Sequence, residues 1–538
     1  MSKARNVADI IKQPFTTTLG TSNYRAGVNA GNSIASGGNY NVTVGDEAGT
    51  AISTGDGNTA VGYNALVSED EGNQNTAIGH NALANLNSGT NYNVAVGSGA
   101  GTQVTTGAAN TFLGGIAGQF VSTASSSTFV GYSAGLGITG AKLTGGDNTA
   151  VGRDAGLLLQ GGANGNSLFG RNSGDAITTG SRITAIGYGA LSAETTGTRA
   201  TAVGYFALAV QNKAAESHNT AVGYNSSGAV SSGDHNTSMG YGSLDDCDDG
   251  NFNTAIGSST LSANCGSSNT AVGDHAGNAF TGSGSTFLGA TAGQFTTSAD
   301  YCTFVGHQAG LGISGTPLTG NDNTAVGHNA GLKLQGAAVN NTLIGKGAGD
   351  DIADADGNTC LGYAAGGGIS TGQYNTSLGL VSMTGAVYTG QYNISLGYNA
   401  HPAAAGTSGQ CTLGDGSISD LRCNDQSISA LSDERDKTNI VDSPYGLDFI
   451  NATKPRQFLW DARDVNVKNG STRLGFIAQE LLVAADGNND VLNLVMEDNP
   501  EKLEAKYGNL LPIMVKAIQE LSAKNDALEA RITALEGA

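Results

Sequence analysis

The chain has 538 residues, too many for one ordinary hydrophobic core, so several domains are the default expectation. With 83 Gly, 14 Phe, one Trp and 13% charged residues, it is either disordered or a repeat that buries surface by stacking. A net charge of −20 disfavours nucleic acid as a partner, because phosphate binding needs clustered Lys and Arg.

The N-terminal stretch Met-Ser-Lys-Ala-Arg-Asn-Val-Ala-Asp-Ile-Ile has no apolar run of signal-peptide length. No stretch approaches the ~20 apolar residues of a membrane span, so synthesis in a cytoplasm without membrane insertion is expected. Residues 1–38 lack the repeat that follows, and Val7, Ile10 and Ile11 fall on one face of a short helix.

Residues 39–420 are dominated by self-similarity. The unit Asn-Thr-Ala-Val-Gly stands at 58–62, 148–152, 219–223 and 323–327. Anchored on its glycine, it recurs from Gly45, Gly62 and Gly79 to Gly397 and Gly414, in 22 copies spaced 16 to 21 residues apart and usually 17. The residue before the glycine is always large and apolar and is assigned to the core. Strand alternation puts it on one face with the Thr two residues earlier, while the residue between, Ala or a Phe such as Phe112 and Phe287, faces a second environment. Asn four before the glycine suits a turn, and the glycine suits φ > 0 or close approach. Three after it stands Ala, Ser or Thr, as at Ala65, Ala134, Ser226 and Ala330, which implies close packing against the next turn or around a three-fold axis. Residues 110–190 match 285–365 without a gap at an offset of 175, as a fibre lengthened by duplication would show.

The fold class expected is mainly β: an elongated trimeric fibre of 22 short turns of about 17 residues, β-helix or β-roll in type, in which separately coiled chains are preferred to three interwoven ones. The pattern resembles β-helical phage fibres and, more loosely, the heads of trimeric autotransporter adhesins. Those adhesins need a signal peptide and a C-terminal anchor, and neither is expected here.

Near residue 431 the texture changes. Residues 432–538 hold 12 Lys/Arg and 18 Asp/Glu but only six of the 83 Gly. After the linker 421–431 come Ser-Asp-Glu-Arg-Asp-Lys (432–437), Tyr-Gly-Leu-Asp-Phe-Ile (445–450), Lys-Pro-Arg-Gln-Phe-Leu-Trp (454–460), Leu-Gly-Phe-Ile-Ala-Gln-Glu-Leu (474–481) and Leu-Leu-Pro-Ile-Met-Val-Lys-Ala-Ile-Gln-Glu-Leu (510–521). In this order they resemble the C-terminal intramolecular chaperone of endosialidase-type tailspikes and tail fibres, a small α+β domain spanning 432–538. The resemblance implies trimerisation followed by autoproteolysis between Leu431 and Ser432. Ser432 would be the nucleophile and Lys437 the base, with Asp433 and Arg435 supporting the loop. Taken alone, the segment reads as a turn capping a helix.

Over about 510–536, Met514, Ile518, Leu521, Asn525, Leu528, Ile532 and Leu535 alternate spacings of four and three, giving a coiled coil with Asn525 at one a position.

The resemblance further implies a virion protein that attaches to a host-surface receptor, a glycan, with residues 1–38 joining phage tail or baseplate proteins. A tailspike depolymerase cutting host polysaccharide is the alternative, but the strands carry Thr, Ala and Val rather than paired acids. No cofactor and no metal are expected. The seven His form no His-x-His, and the acids of 244–249 read as a solvated loop rather than a Ca²⁺ site. The column after the glycine, including Tyr63, Tyr188, Tyr205, Tyr224 and Tyr241, reads as strand-end packing before it reads as a sugar-binding ladder. Cys247, Cys265, Cys302, Cys360, Cys411 and Cys423 show no C-x-x-C pair and are expected to be reduced.

Overall fold

The computed structural model describes residues 20–415 apart from 88 and 90, residues 417, 418, 421 and 422, and residues 432–459, 470 and 472–537. Two units are distinguished, residues 1–340 and 341–538.

In the first unit the repeat forms a parallel β-solenoid of eighteen turns, from β1 (Tyr24–Ala26) and β2 (Val42–Val44) to β18 (Thr324–Val326). Each turn contributes one three-residue strand, whose β-branched ends suit a pleated backbone. Consecutive strands of the same chain pair without offset: β3 (Thr59–Val61) on β4 (Thr76–Ile78) aligns Thr59 with Thr76, Ala60 with Ala77 and Val61 with Ile78. Equivalent residues therefore stack in columns along the coil.

The columns correct the expected core. From β2 to β18 the middle residue of every strand is buried, usually Ala, with Phe at Phe112, Phe129, Phe287 and Phe304. The apolar residue before the glycine faces outward: Leu113 is 47% exposed while its neighbour Phe112 is fully buried. One turn encloses a thin interior, filled by the middle residues and by the aliphatic column seven after the glycine (Ile52, Leu86, Val104, Leu159). Alternation then sends both strand ends out. The small column, at Ala65, Ala134 and Ala330, is buried within the same coil, and Gly49 N–H donates to Ala65 O at 2.8 Å, so it packs on the next turn of its own chain.

Asn four before the glycine builds a ladder, which the turn reading did not foresee. Asn75 N–H donates to Asn58 Oδ1 at 2.9 Å, and Asn58 Nδ2 donates to Gly72 O at 2.7 Å. Each buried amide thus stitches two turns and satisfies backbone groups that water cannot reach. The repeat glycine has two reasons to be glycine. At Gly62 φ is +125°, and a Cβ there would lie 2.7 Å from Gly79 O. Two residues later the backbone is left-handed even at Ile116 (φ +52°), a conformation a β-branched residue adopts only when its neighbours impose it.

The solenoid starts one turn earlier than residue 39. Within Asn23-Tyr24-Arg25-Ala26-Gly27, β1 (Tyr24–Ala26) pairs with β2, so residues 20–38 belong to the coil. Val7, Ile10 and Ile11 lie outside the described residues. The duplication is visible in the packing. Phe112 packs at a tilt against Phe129 with centroids 5.7 Å apart, as Phe287 does against Phe304 at 5.7 Å, and the bridges Val121–Leu143 and Thr296–Leu318 repeat each other.

The second unit holds five further turns, β19 (Thr342–Ile344) to β23 (Cys411–Leu413), with the same buried middle residues up to β22 (Ile394–Leu396). Beyond them lie a 3₁₀ turn at Glu434–Asp436, helices Leu447–Ala452, Ala478–Ala485 and Asn489–Leu492, and the long helix Leu510–Glu536. Two antiparallel pairs complete it, β24 (Arg456–Leu459) with β25 (Thr472–Gly475) and β26 (Val495–Met496) with β27 (Glu504–Ala505). Phe449, Leu481, Leu492, Leu494, Val495, Leu510 and Ile513 form its small core.

Candidate functional site

The segment 432–437 folds by local hydrogen bonding. Asp433 caps the 3₁₀ turn by accepting from Arg435 N at 2.9 Å, and its carboxylate also takes the Arg435 guanidinium in a fork, Nε at 2.9 Å and Nη2 at 2.5 Å. The Arg435 side chain, followed by its backbone N–H, holds the Asp433 carboxyl below the usual range. One tight turn then brings Lys437 back over Ser432. Lys437 Nζ lies 2.5 Å from Ser432 Oγ and 3.3 Å from Ser432 O.

The structure therefore brings Ser432 and Lys437 together and pairs Asp433 with Arg435. The second pair braces the turn that positions the first. Leu431, the residue before the expected cut, lies outside the described residues. All of residues 432–441 are exposed, so in a single chain water reaches both the hydroxyl and the amine.

The motifs that follow build the support. Tyr445 stacks edge-on against Phe449, and Leu447 N–H donates to Glu520 Oε2 at 2.8 Å, tying the short helix to the long one. Arg456 grips Glu480 through two bonds, 2.9 and 2.6 Å, and Tyr507 Oη accepts from Phe476 N at 3.1 Å. The long helix buries Leu510, Ile513 and Ala517 at its start. Further along, Met514, Ile518, Leu521, Leu528, Ile532 and Leu535 are all exposed, an apolar stripe of four-three spacing.

The columns of the first unit carry the remaining candidates. Tyr188, Tyr205, Tyr224 and Tyr241 form one continuous stack, with centroids 5.3, 5.1 and 5.3 Å apart and planes within 13°. Arg171 covers the outer face of Tyr188 at 5.7 Å. Rings inside such a stack present edges and hydroxyls, whereas a sugar needs an open face.

A second column, five before the glycine, was not read from the sequence. It stacks His218 on His235 at 4.4 Å and His235 on Phe252 at 4.9 Å. Among the described residues His218, Asp234 and His235 are the group close enough to share a metal ion. The Asp234 carboxylate is already engaged, whereas His218 Nδ1 is buried without a hydrogen-bond partner. Asp234 Oδ1 accepts His218 N at 2.8 Å and His235 N at 2.7 Å, its Oδ2 pairs with Lys213 at 2.9 Å, and the stacked imidazoles bring His218 Nδ1 to 3.7 Å and His235 Nδ1 to 3.3 Å from the same Oδ1. Burial alone would raise the Asp234 carboxyl, but the His218 N–H, the Lys213 ammonium and the His235 N–H bring it down to about 2. In the loop 244–249, Asp245 accepts from Asn225 Nδ2 at 2.5 Å and Asp248 from Ser231 Oγ, so these two acids tie their turn to the one before.

The family model described as chaperone of endosialidase matches residues 432–487, which begin at the Ser432–Lys437 turn and run through helix Ala478–Ala485. No curated protein and no solved structure matches the chain. A β-solenoid followed by this module fits an endosialidase-type tailspike or fibre. No helix among the described residues is long and apolar enough to cross a membrane.

Proposed function

We propose that the protein is a homotrimeric phage tail fibre that binds a host-surface glycan, and that its C-terminal module assembles the trimer and then cuts the chain between Leu431 and Ser432. The observation that carries this reading is the 2.5 Å contact of Lys437 Nζ with Ser432 Oγ at the first residues of the matched chaperone segment.

In the chemistry proposed, Ser432 Oγ adds to the Leu431 carbonyl carbon and passes its proton to the Lys437 amine. The C–N bond breaks as the Ser432 nitrogen takes up that proton, leaving Leu431 as an ester on Ser432 Oγ. Water hydrolyses the ester to the Leu431 carboxylate and restores the hydroxyl. An amine accepts a proton only after losing its own, which near neutral pH needs a dry or cationic neighbourhood. The single chain leaves the pair in water. Neighbouring chains supply the burial, and cleavage waits for assembly.

Two apolar surfaces favour the trimer: the four-three stripe on the long helix, and the outward column before the repeat glycine (Leu113, Met239, Leu288). Attachment is favoured over glycan cutting by the two buried carboxylates of the described body. Glu69 and Glu194 stand in separate turns and accept from Gly72 N and Gly197 N, each at 2.7 Å, as turn-builders rather than as an acid/base pair. Residues before the coil join the fibre to the tail.

Mass spectrometry of the expressed protein tests the reading. Wild type should give a body ending at Leu431 and a piece starting at Ser432, and Ser432→Ala should stay whole while scattering light as a trimer. A wild-type chain that assembles but stays intact overturns the protease, and a monomer mass overturns the assembly.

A further inference from the structure

Cys247 and Cys265 come from successive turns, after β13 (Thr237–Met239) and β14 (Thr254–Ile256), and both are buried. Their Sγ atoms are 2.8 Å apart. A disulfide measures about 2.05 Å, so closing this gap needs a movement of less than ~1 Å. The two thiols are already oriented toward each other. Cys247 Sγ–H donates to Cys265 O at 3.0 Å, and Cys265 Sγ–H donates to Cys247 Sγ.

The local repeat explains the meeting. Cys247 stands seven after Gly240, in the column where other turns place Ile52, Leu86 or Val104. In the following turn, of 16 residues from Gly257 to Gly273, the buried residue is Cys265, eight after its glycine rather than seven. Room for the pair depends on Gly250, where a Cβ would come within 2.5 Å of Cys247 Sγ. The other buried thiols sit elsewhere in the repeat, Cys302 in the Asn column and Cys360 in a strand centre.

We propose that Cys247 and Cys265 form an intrachain disulfide that staples two successive turns of the solenoid when the protein meets a disulfide oxidant. Cys247 thiolate attacks one sulfur of the oxidant and releases one small thiol. Cys265 thiolate then attacks Cys247 Sγ in the mixed disulfide and releases the second. The protein loses two hydrogens and two electrons, and the oxidant is reduced to two thiols. The hydrogen bond from Cys265 lowers the Cys247 thiol and raises that of Cys265, in keeping with Cys247 as the first attacker. Because both sulfurs are sealed in the coil, the bond closes while the turns stack or during local opening.

Full-length protein refolded with oxidised glutathione, then denatured and alkylated without reductant, gives the test. Chymotrypsin cuts at Phe252 and Leu261, between the two cysteines, so the staple appears as a linked pair of peptides. The expected result is Cys247 joined to Cys265, with both alkylated after refolding under reductant and Cys247 alkylated in Cys265→Ser. Two alkylated cysteines in the oxidised wild type, or Cys247 joined to a different cysteine, overturns the proposal. The wild-type map decides even if the variant misfolds.

Discussion

Asn253 donates its backbone N–H to Oδ1 of Asn236, one turn earlier, at 2.9 Å, while Asn236 Nδ2 reaches Gly250 O at 2.8 Å. The amide closes two hydrogen bonds that no backbone group can make. Asn236→Ala leaves a buried N–H and a buried C=O without partners and should cost about 2–4 kcal/mol. The urea midpoint measures it, and hydrogen exchange should show the loss centred on the turns at Asn236 and Asn253. An unchanged midpoint would remove the ladder from the list of forces holding the coil.

Phe112 and Leu113 are neighbours on one strand with opposite surroundings, fully buried against 47% exposed. Phe112→Ala should cost about 3–5 kcal/mol through the cavity it leaves between turns. Leu113→Ser should leave the stability of the separate chain within about 0.5 kcal/mol and instead weaken its association, read by sedimentation. Equal losses of stability in both variants would return Leu113 to the core.

Lys437→Arg keeps the charge and the reach but replaces the amine with a guanidinium that does not give up its proton. Cleavage should slow by about 10²-fold or more while the trimer forms as before. Gel densitometry of the intact chain over time follows it. Cutting at the wild-type rate would show that Lys437 positions the hydroxyl without acting as a base.

Ile518 is 64% exposed on a helix whose buried residues end at Ala517. Ile518→Asp should leave the core around Phe449 and Leu481 folded, judged by near-UV circular dichroism, yet abolish trimers and with them the cut. Trimers that persist in this variant would move the assembly surface away from the long helix.

The repeat, its turn length and its glycine were legible in the sequence because columns every 17 residues or so expose position-specific constraints. Inside and outside were not. A three-residue strand offers only an alternation, and size pointed the wrong way: the outward Leu113 is larger than the interior Ala60 or Ala77 that most strands carry. Asn at the ladder position satisfied the turn reading equally well, and only the stacking of Asn58 on Asn75 separates the two. The first turn escaped because Asn-Tyr-Arg-Ala-Gly lacks both the Thr and the aliphatic residue. The pairs His218–His235 and Cys247–Cys265 depend on which turn lies above which, and that register appears once the coil is built. The Ser432–Lys437 contact was the easiest to anticipate, because five residues and one tight turn suffice to make it.

β23 pairs with β22 along one side. Beside it sit residues of the β26–β27 region, where Asn499 Nδ2 reaches Ala403 O at 3.2 Å and Gln410 Nε2 reaches Met496 Sδ at 3.3 Å. Were the cut proposed after Leu431 to remove residues 432–538, those contacts would go with them and β23 would end the coil as a strand edge in the spacing its own turns use. The ladder that holds one coil together would then be a template for joining two coils tip to tip.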